Sequence, residues 1–230
     1  MDGITQVAFV TGGARGIGWA CAKALLETGM AVATMDIIPL EKPLAILEIR
    51  GDIGKPRVVE RAILMVLENY GRLDFAVNNA AILGPKSRIS DIDTKSWMHI
   101  IQTNLTGTLL CLKHEISALL KTGGGRIVNI SSTCSQDKVG VDMMLYSGYV
   151  VSKTALNKLA EVAAQQYQFD GLYINTILAT GYNTELHKQL RGAMTGKDPS
   201  QMGKLIAAMR KFNETGITDD EEGWIKRIWE

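Results

Sequence analysis

The sequence predicts a single-domain, doubly wound α/β fold, a parallel sheet with helices on both faces, and three observations carry that expectation. Strand-length apolar runs alternate with stretches of helical periodicity along the chain. The first such run, Val7–Val10, is followed at once by a glycine-rich turn and an amphipathic stretch, the start of a βαβ series. Gly29, Gly71 and Gly171 then fall where the helices of that series should stop.

Taken in order, the expected strands lie near 5–10, 31–36, 45–50, 73–77, 125–131 and 172–178, and the helices near 16–28, 55–70, 95–121 and 148–168. Val58, Val59, Ala62, Ile63, Val66, Leu67 and Tyr70 recur at helical spacing between two strands, the pattern of a helix laid on a sheet. Between the second and third strands only Ile37 to Leu44 remains, with Pro39 and Pro43 inside it, so that crossover is expected without a helix. Beyond Thr184 the pattern turns to Met- and charge-rich helical stretches, expected as a substrate cap and an atypical tail over 185–230 of the same domain. A chain of 230 residues can bury one substantial core, and 1–230 reads as one domain.

Composition narrows the function classes. Lys and Arg number 25 against 24 Asp and Glu, a net charge of +1, and no basic stripe stands out, so nucleic acid is not an expected partner. The apolar stretches are of strand length and lack a basic leader, which predicts neither a signal peptide nor a membrane span and fits a soluble cytoplasmic protein. Cys21, Cys111 and Cys134 are odd in number and far apart, supporting neither a disulfide framework nor a metal site. Cys134 reads as a small loop residue more readily than as a reactive thiol.

Thr11-Gly12-Gly13-Ala14-Arg15-Gly16-Ile17-Gly18 carries the first chemical signal. Glycines at 12, 16 and 18 let the backbone turn tightly and approach a pyrophosphate, while the free N–H groups and dipole of the following helix face the anion. The spacing is G-x-x-x-G-x-G, one residue longer than the commonest dinucleotide turn. A second signal is Tyr149 and Lys153, four apart at a helix start and so on one face. They follow Arg126-Ile127-Val128-Asn129-Ile130-Ser131-Ser132, a strand ending in hydroxyls where the crevice of such a sheet should open. Asn104 sits in an otherwise apolar helix, where an amide is costly without a partner.

Over roughly residues 5–185 these motifs, in this order, resemble the short-chain dehydrogenase/reductase family, with its Rossmann-like fold. Thr11 to Gly18 matches its T-G-x-x-x-G-x-G turn, and Asp36 and Asp52 match the acidic residues after its second and third strands. Asn78-Asn79-Ala80-Ala81 matches its N-N-A-G segment with Ala81 in place of glycine. The resemblance implies a hydride transfer between a nicotinamide cofactor and a secondary alcohol or ketone. Tyr149 would be the general acid/base, its phenolate stabilised by Lys153, which would also hold the nicotinamide ribose. Ser132 would donate to the substrate oxygen, and Asn104 would anchor a water leading from Lys153 to solvent. Gly12, Arg15, Gly16, Ile17 and Gly18 would cradle the pyrophosphate end. Asp52 and Ile53 would contact the adenine, Asn78 and Ala80 would line the adenosine ribose side, and Thr184 would meet the carboxamide. A carboxylate at Asp36 accepts from both ribose hydroxyls and repels a 2′-phosphate, favouring NAD over NADP; Arg15 is the counter-signal.

The chain departs from the family in three places. From Ser132 to Tyr149 it is about four residues longer than usual, which makes Ser135 a rival hydroxyl and lets Met143 to Leu145 line a substrate pocket. Ala179-Thr180 stands where the family has Pro-Gly. The last strand and its glycine-rich ending have no evident counterpart, and the Trp-containing tail 219–230 reads as a helix. His187, Lys188 and Arg191 read as a solvated positive face more readily than as an anion site. The resemblance also implies a homodimer, with the tetramer contact in doubt. A cofactor-binding regulatory protein without turnover is the alternative from another class.

Overall fold

The computed structural model describes residues 6–136, 140–182, 184–191, 197–210 and 216–218. A seven-stranded parallel sheet runs β3-β2-β1-β4-β5-β6-β7. Its strands are β1 (Val7–Thr11), β2 (Ala31–Asp36), β3 (Leu47–Arg50), β4 (Phe75–Asn78), β5 (Gly125–Ser132), β6 (Leu172–Ala179) and β7 (Gly216–Thr218). The helices are α1 (Gly16–Glu27), α2 (Pro56–Tyr70), α3 (Thr94–Ile101), α4 (Thr108–Lys121), α5 (Ser147–Gln166), α6 (Glu185–Arg191) and α7 (Pro199–Met209).

Strands that bury both faces need continuous apolar runs, and β1 shows how they are used. Val7 and Phe9 join a core with α2, α4 and α5 on one side, while Ala8 and Val10 join a second core with α1 and α7 on the other. Helix α7 lies against α1 so closely that a Cβ on Gly203 would stand 2.4 Å from the Ala20 carbonyl oxygen. The crossover from β2 to β3 holds no helix, as its two prolines require. No described helix is long and apolar enough to cross a membrane. Cys21, Cys111 and Cys134 are buried free thiols.

Two expectations are corrected. The helix predicted over 95–121 is interrupted by a π-helical segment, Gln102–Gly107, which joins α3 to α4. Helical periodicity cannot reveal this, because the hydrogen bonds at the widening come from individual side chains, one of which reaches a loop outside the helix. The Asn104 side chain bonds to Ile82, and the Thr108 hydroxyl donates to the Asn104 carbonyl at 2.9 Å. The last strand also has a counterpart, β7, whose Thr176↔Ile217 register adds it to the edge of β6. Gly216-Ile217-Thr218 contains one apolar residue and is too short for a strand pattern to register. The tail read as a helix lies outside the described residues.

Candidate active site

The chain leaves β1 in one direction to build β2 and β3, then returns to place β4 on the other side of β1. At this reversal the chain leaving β1 runs to α1 on one face of the sheet and the chain leaving β4 runs to the helices on the other, and a crevice opens between them. A cleft of about 790 Å³ lies there, reaching from Asp36 at one end to Ser132, Tyr149 and Lys153 at the other.

Asn79 stitches the crevice. Its Nδ2 donates to the carbonyls of Thr11 and Gly12, each at 3.1 Å, while its own amide and that of Ala80 donate to Thr11 Oγ1 at 3.0 and 3.2 Å. Gly12 has φ +65°, and a Cβ there would sit 2.7 Å from Asn79 Nδ2 and 2.8 Å from Ala80 Cα, so the turn must present bare backbone. Gly12, Arg15, Gly16 and Ile17 line the cleft. Gly18 does not; a Cβ on it would lie 2.0 Å from the Gly12 carbonyl oxygen, so it serves the close packing of helix on turn.

At the end of β2 the Asp36 carboxylate faces the cleft, held by the backbone N–H of Ala14 at 3.0 Å and of Ile38 at 3.2 Å. Arg15 lies 3.5 Å from Glu41, which offsets its charge. Asp52 and Ile53 line the next part, with Asp52 Oδ1 accepting from the Gly54 N–H at 2.8 Å. Ala80 and Thr184 are also on the wall. Asn78 is not among the lining residues. It is the last residue of β4 and shares the face of Ala76, so its side chain enters the buried core and donates to Glu115 and Asn129. Strand alternation carried one residue further identifies Asn79 as the one that turns to the cleft.

The chemistry-bearing end is assembled by β5 and α5. Tyr149 and Lys153 are 6% and 2% exposed. Burial pushes the Tyr149 phenol above its ordinary value, the Cys134 thiol adds to this, and a hydrogen bond with the Ser132 hydroxyl acts against it. Lys153 is lowered to about 8 by the same desolvation, and its Nζ donates to the Ile130 carbonyl at 2.7 Å, 5.9 Å from the Tyr149 ring centre. The ammonium is thus turned to the strand and is not what moves the phenol here.

Of the two rival hydroxyls, Ser132 lines the cleft and Ser135 does not. Ser135 Oγ donates to the Ser132 carbonyl and accepts from Asn157 Nδ2 at 2.8 Å. Asn104 is fully buried behind the site: its Oδ1 accepts from the Ile82 N–H, and its Nδ2 donates to the Ile82 carbonyl at 2.9 Å and to Ser152 Oγ at 3.0 Å. Leu83, Cys134, Tyr146 and Tyr149 form a small apolar cluster beside this end, with Ala81, Met143 and Leu186 packed on it. Of the extra segment Met143 reaches the cleft, whereas Met144 and Leu145 are exposed. Lys188 is exposed near Glu185, and the side chains of His187 and Arg191 lie outside the described residues.

The family model described as short chain dehydrogenase matches residues 6–195, and the chain belongs to the short-chain dehydrogenase/reductase family, oxidoreductases that use NAD or NADP. It is 31% identical to a cis-4-hydroxycyclohexanecarboxylate dehydrogenase of Sinomonas cyclohexanicum, over 87% of this chain and 83% of that one. A cyclohexanol dehydrogenase of Acinetobacter sp. (strain SE19) is 29% identical over 94% and 92% of the two chains. An NAD-dependent glycerol dehydrogenase of Listeria innocua is 30% identical over 89% and 80%. Among solved structures, the ligand-free aldohexose dehydrogenase of Thermoplasma acidophilum superposes with a TM-score of 0.83 at 24% identity, covering 92% of this chain and 90% of that one.

Proposed function

We propose that the protein transfers a hydride between NAD(H) and a secondary alcohol or ketone. The observation that carries this reading is one continuous cleft with a fixed carboxylate, Asp36, at one end and the Ser132–Tyr149–Lys153 group at the other. The cleft suits a dinucleotide: bare backbone at Gly12, the start of α1 facing in, and room within the usual range of ligand pockets, roughly 300–1,000 Å³. Asp36 would bind the ribose hydroxyls and repel a 2′-phosphate, and Arg15, facing Glu41, is poorly placed to counter it.

When bound, the nicotinamide supplies or accepts the hydride. Tyr149 gives or takes the proton on the substrate oxygen, Ser132 holds that oxygen by a hydrogen bond, and Lys153 would favour the phenolate once its ammonium turns from the Ile130 carbonyl toward the cleft. Asn104 positions Ile82 and α5 behind them and leads protons onward through water. Helix α6, whose Glu185, Leu186 and Gln189 line the cleft, would cap the substrate end. The apolar wall of Leu83, Met143 and Leu186, together with relatives acting on cyclohexanol-type substrates, favours an alicyclic body on the alcohol.

Titration with NADH and NADPH, followed by nicotinamide fluorescence and melting temperature, tests the cofactor without a choice of substrate. NADH is expected to bind more tightly, and binding of neither would overturn the proposal. Tyr149→Phe should lower kcat by about a hundredfold or more while leaving the NADH Kd nearly unchanged. A folded Phe variant with wild-type turnover would remove Tyr149 from its role.

A further inference from the structure

One buried titratable group has no part in the proton chemistry of the cleft. Glu115, on α4, is wholly inaccessible. Its Oε2 accepts from Asn78 Nδ2 at 2.9 Å, and the same Nδ2 donates to Asn129 Oδ1 at 3.1 Å. Both protons of the Asn78 amide are thereby used. Two buried atoms of this pair have no partner, Glu115 Oε1 and Asn78 Oδ1. Both are acceptors while the acid is ionised, and leaving them so in a dry core is costly.

A single proton resolves both. We infer that Glu115 is held as a neutral acid, its Oε1–H donating to Asn78 Oδ1 while Asn78 Nδ2 donates to Oε2, and that this closed pair is a positioning device for the glycine turn. A carboxylic acid and a carboxamide match in this way, each offering one donor and one acceptor side by side.

The surroundings favour the neutral form. On α4 itself the titratable group coupled to Glu115 is Cys111, one turn away, and that thiol stays protonated because burial raises it. Helix α2 meets this core with Val59, Ala62, Ile63 and Val66, while its Arg57, Glu60, Arg61 and Glu68 are exposed. The π segment has no titratable residue, β4 and β5 contribute Asn78 and Asn129, and β6 contributes Thr176. Arg126 alternates to the opposite face of the sheet. Helix α5 meets this core with Ala160, Ala163 and Ala164, and its buried Lys153 is engaged by the Ile130 carbonyl, so no described cation faces the carboxyl, and burial raises it to about 8.

The position of the pair gives it its role. Asn78 ends β4, and the next two residues are Asn79 and Ala80, whose four hydrogen bonds to Thr11 and Gly12, three of them from Asn79, shape the turn. Ionisation of Glu115 sets two acceptors against each other directly beneath that stitch. Glu115 touches no reacting atom; it acts through Asn78 and Asn79.

Carbon-13 labelling of the glutamate carboxyl groups tests the acid in the unaltered protein: one resonance should titrate near pH 8, far above its fellows. Titration of every glutamate in the ordinary range would overturn the inference. Glu115→Gln supplies the same donor and acceptor without a proton to lose. The folded-state value lies above the unfolded one, so the acid's stabilisation is complete below the unfolded carboxylate range and is lost as pH rises through about 8. The melting temperature of the wild type should therefore fall relative to E115Q by several degrees between about pH 5 and about pH 9. Amide exchange at Gly12 and Asn79 should quicken several-fold more in the wild type than in E115Q above that pH. Parallel melting and exchange profiles in the two proteins would defeat the positioning role. The NADH affinity rests in addition on the proposed cofactor: it should weaken several-fold in the wild type over the same range and stay flat in E115Q. Failure of NADH to bind, with titration and exchange as expected, would count against the cofactor alone.

Discussion

At the scale of single residues, Asp36 carries the sharpest expectation. Its carboxylate is already committed to two backbone N–H groups, so it is fixed before any ligand arrives. Asp36→Ala should weaken NADH by about tenfold to a hundredfold, the cost of losing charge-assisted hydrogen bonds of roughly 1.5–3 kcal/mol. The gain for NADPH should be small in that variant and larger in Asp36→Ala/Glu41→Ala, which releases Arg15. Paired fluorescence titrations check this, and equal NADPH affinities in the two variants would show that Arg15 does not reach the phosphate. Most of these residues are legible in the sequence because their chemistry is unusual for their place: a carboxylate ending an apolar strand, a phenol and an ammonium one helical turn apart. Asn79 is not, because two adjacent asparagines at a strand end look alike until the register says which one faces the core. Ser132 and Ser135 look alike in the sequence, and what separates their positions is the fold: Ser132 lines the cleft, while Ser135 is engaged by the Asn157 amide, a partner 22 residues away.

At the scale of elements, tight contacts between helices and turns set the tolerances. Gly203 lets α7 lie on α1 at a distance no side chain allows. Gly203→Val should cost about 1–3 kcal/mol by forcing the helices apart, read as a lowered melting temperature, and should also weaken cofactor binding because α1 carries the turn. A variant as stable as wild type would mean that α7 docks elsewhere in solution. The βαβ elements are legible because each strand and each amphipathic helix carries its own period. The π segment and β7 are not, since one is stabilised by bonds from the Ile82 loop and the other consists of three residues paired to a distant strand.

For the whole molecule, the described surface carries exposed apolar side chains on the outer faces of two long helices, Leu109 and Leu120 on α4 and Val151 and Val162 on α5. They are suited to the homodimer that the family resemblance implies; if that dimer forms through them, Leu109→Glu/Val162→Glu should convert it to a monomer in sedimentation experiments while leaving the fold intact. An unchanged sedimentation coefficient would place the contact on another face. The reversal between β1 and β4 has a consequence for how the protein can vary. Everything proposed to recognise the cofactor's phosphates and adenosine lies before residue 81, and everything proposed to handle the substrate's oxygen lies from Ser132 onward. Two consecutive lengths of chain therefore share the crevice, and within the sheet they meet edge to edge along β4 and β5. Changes in the later length can retune what is oxidised or reduced without disturbing the nucleotide grip, so descendants of such a sequence can diverge in diet while sharing one currency of electrons.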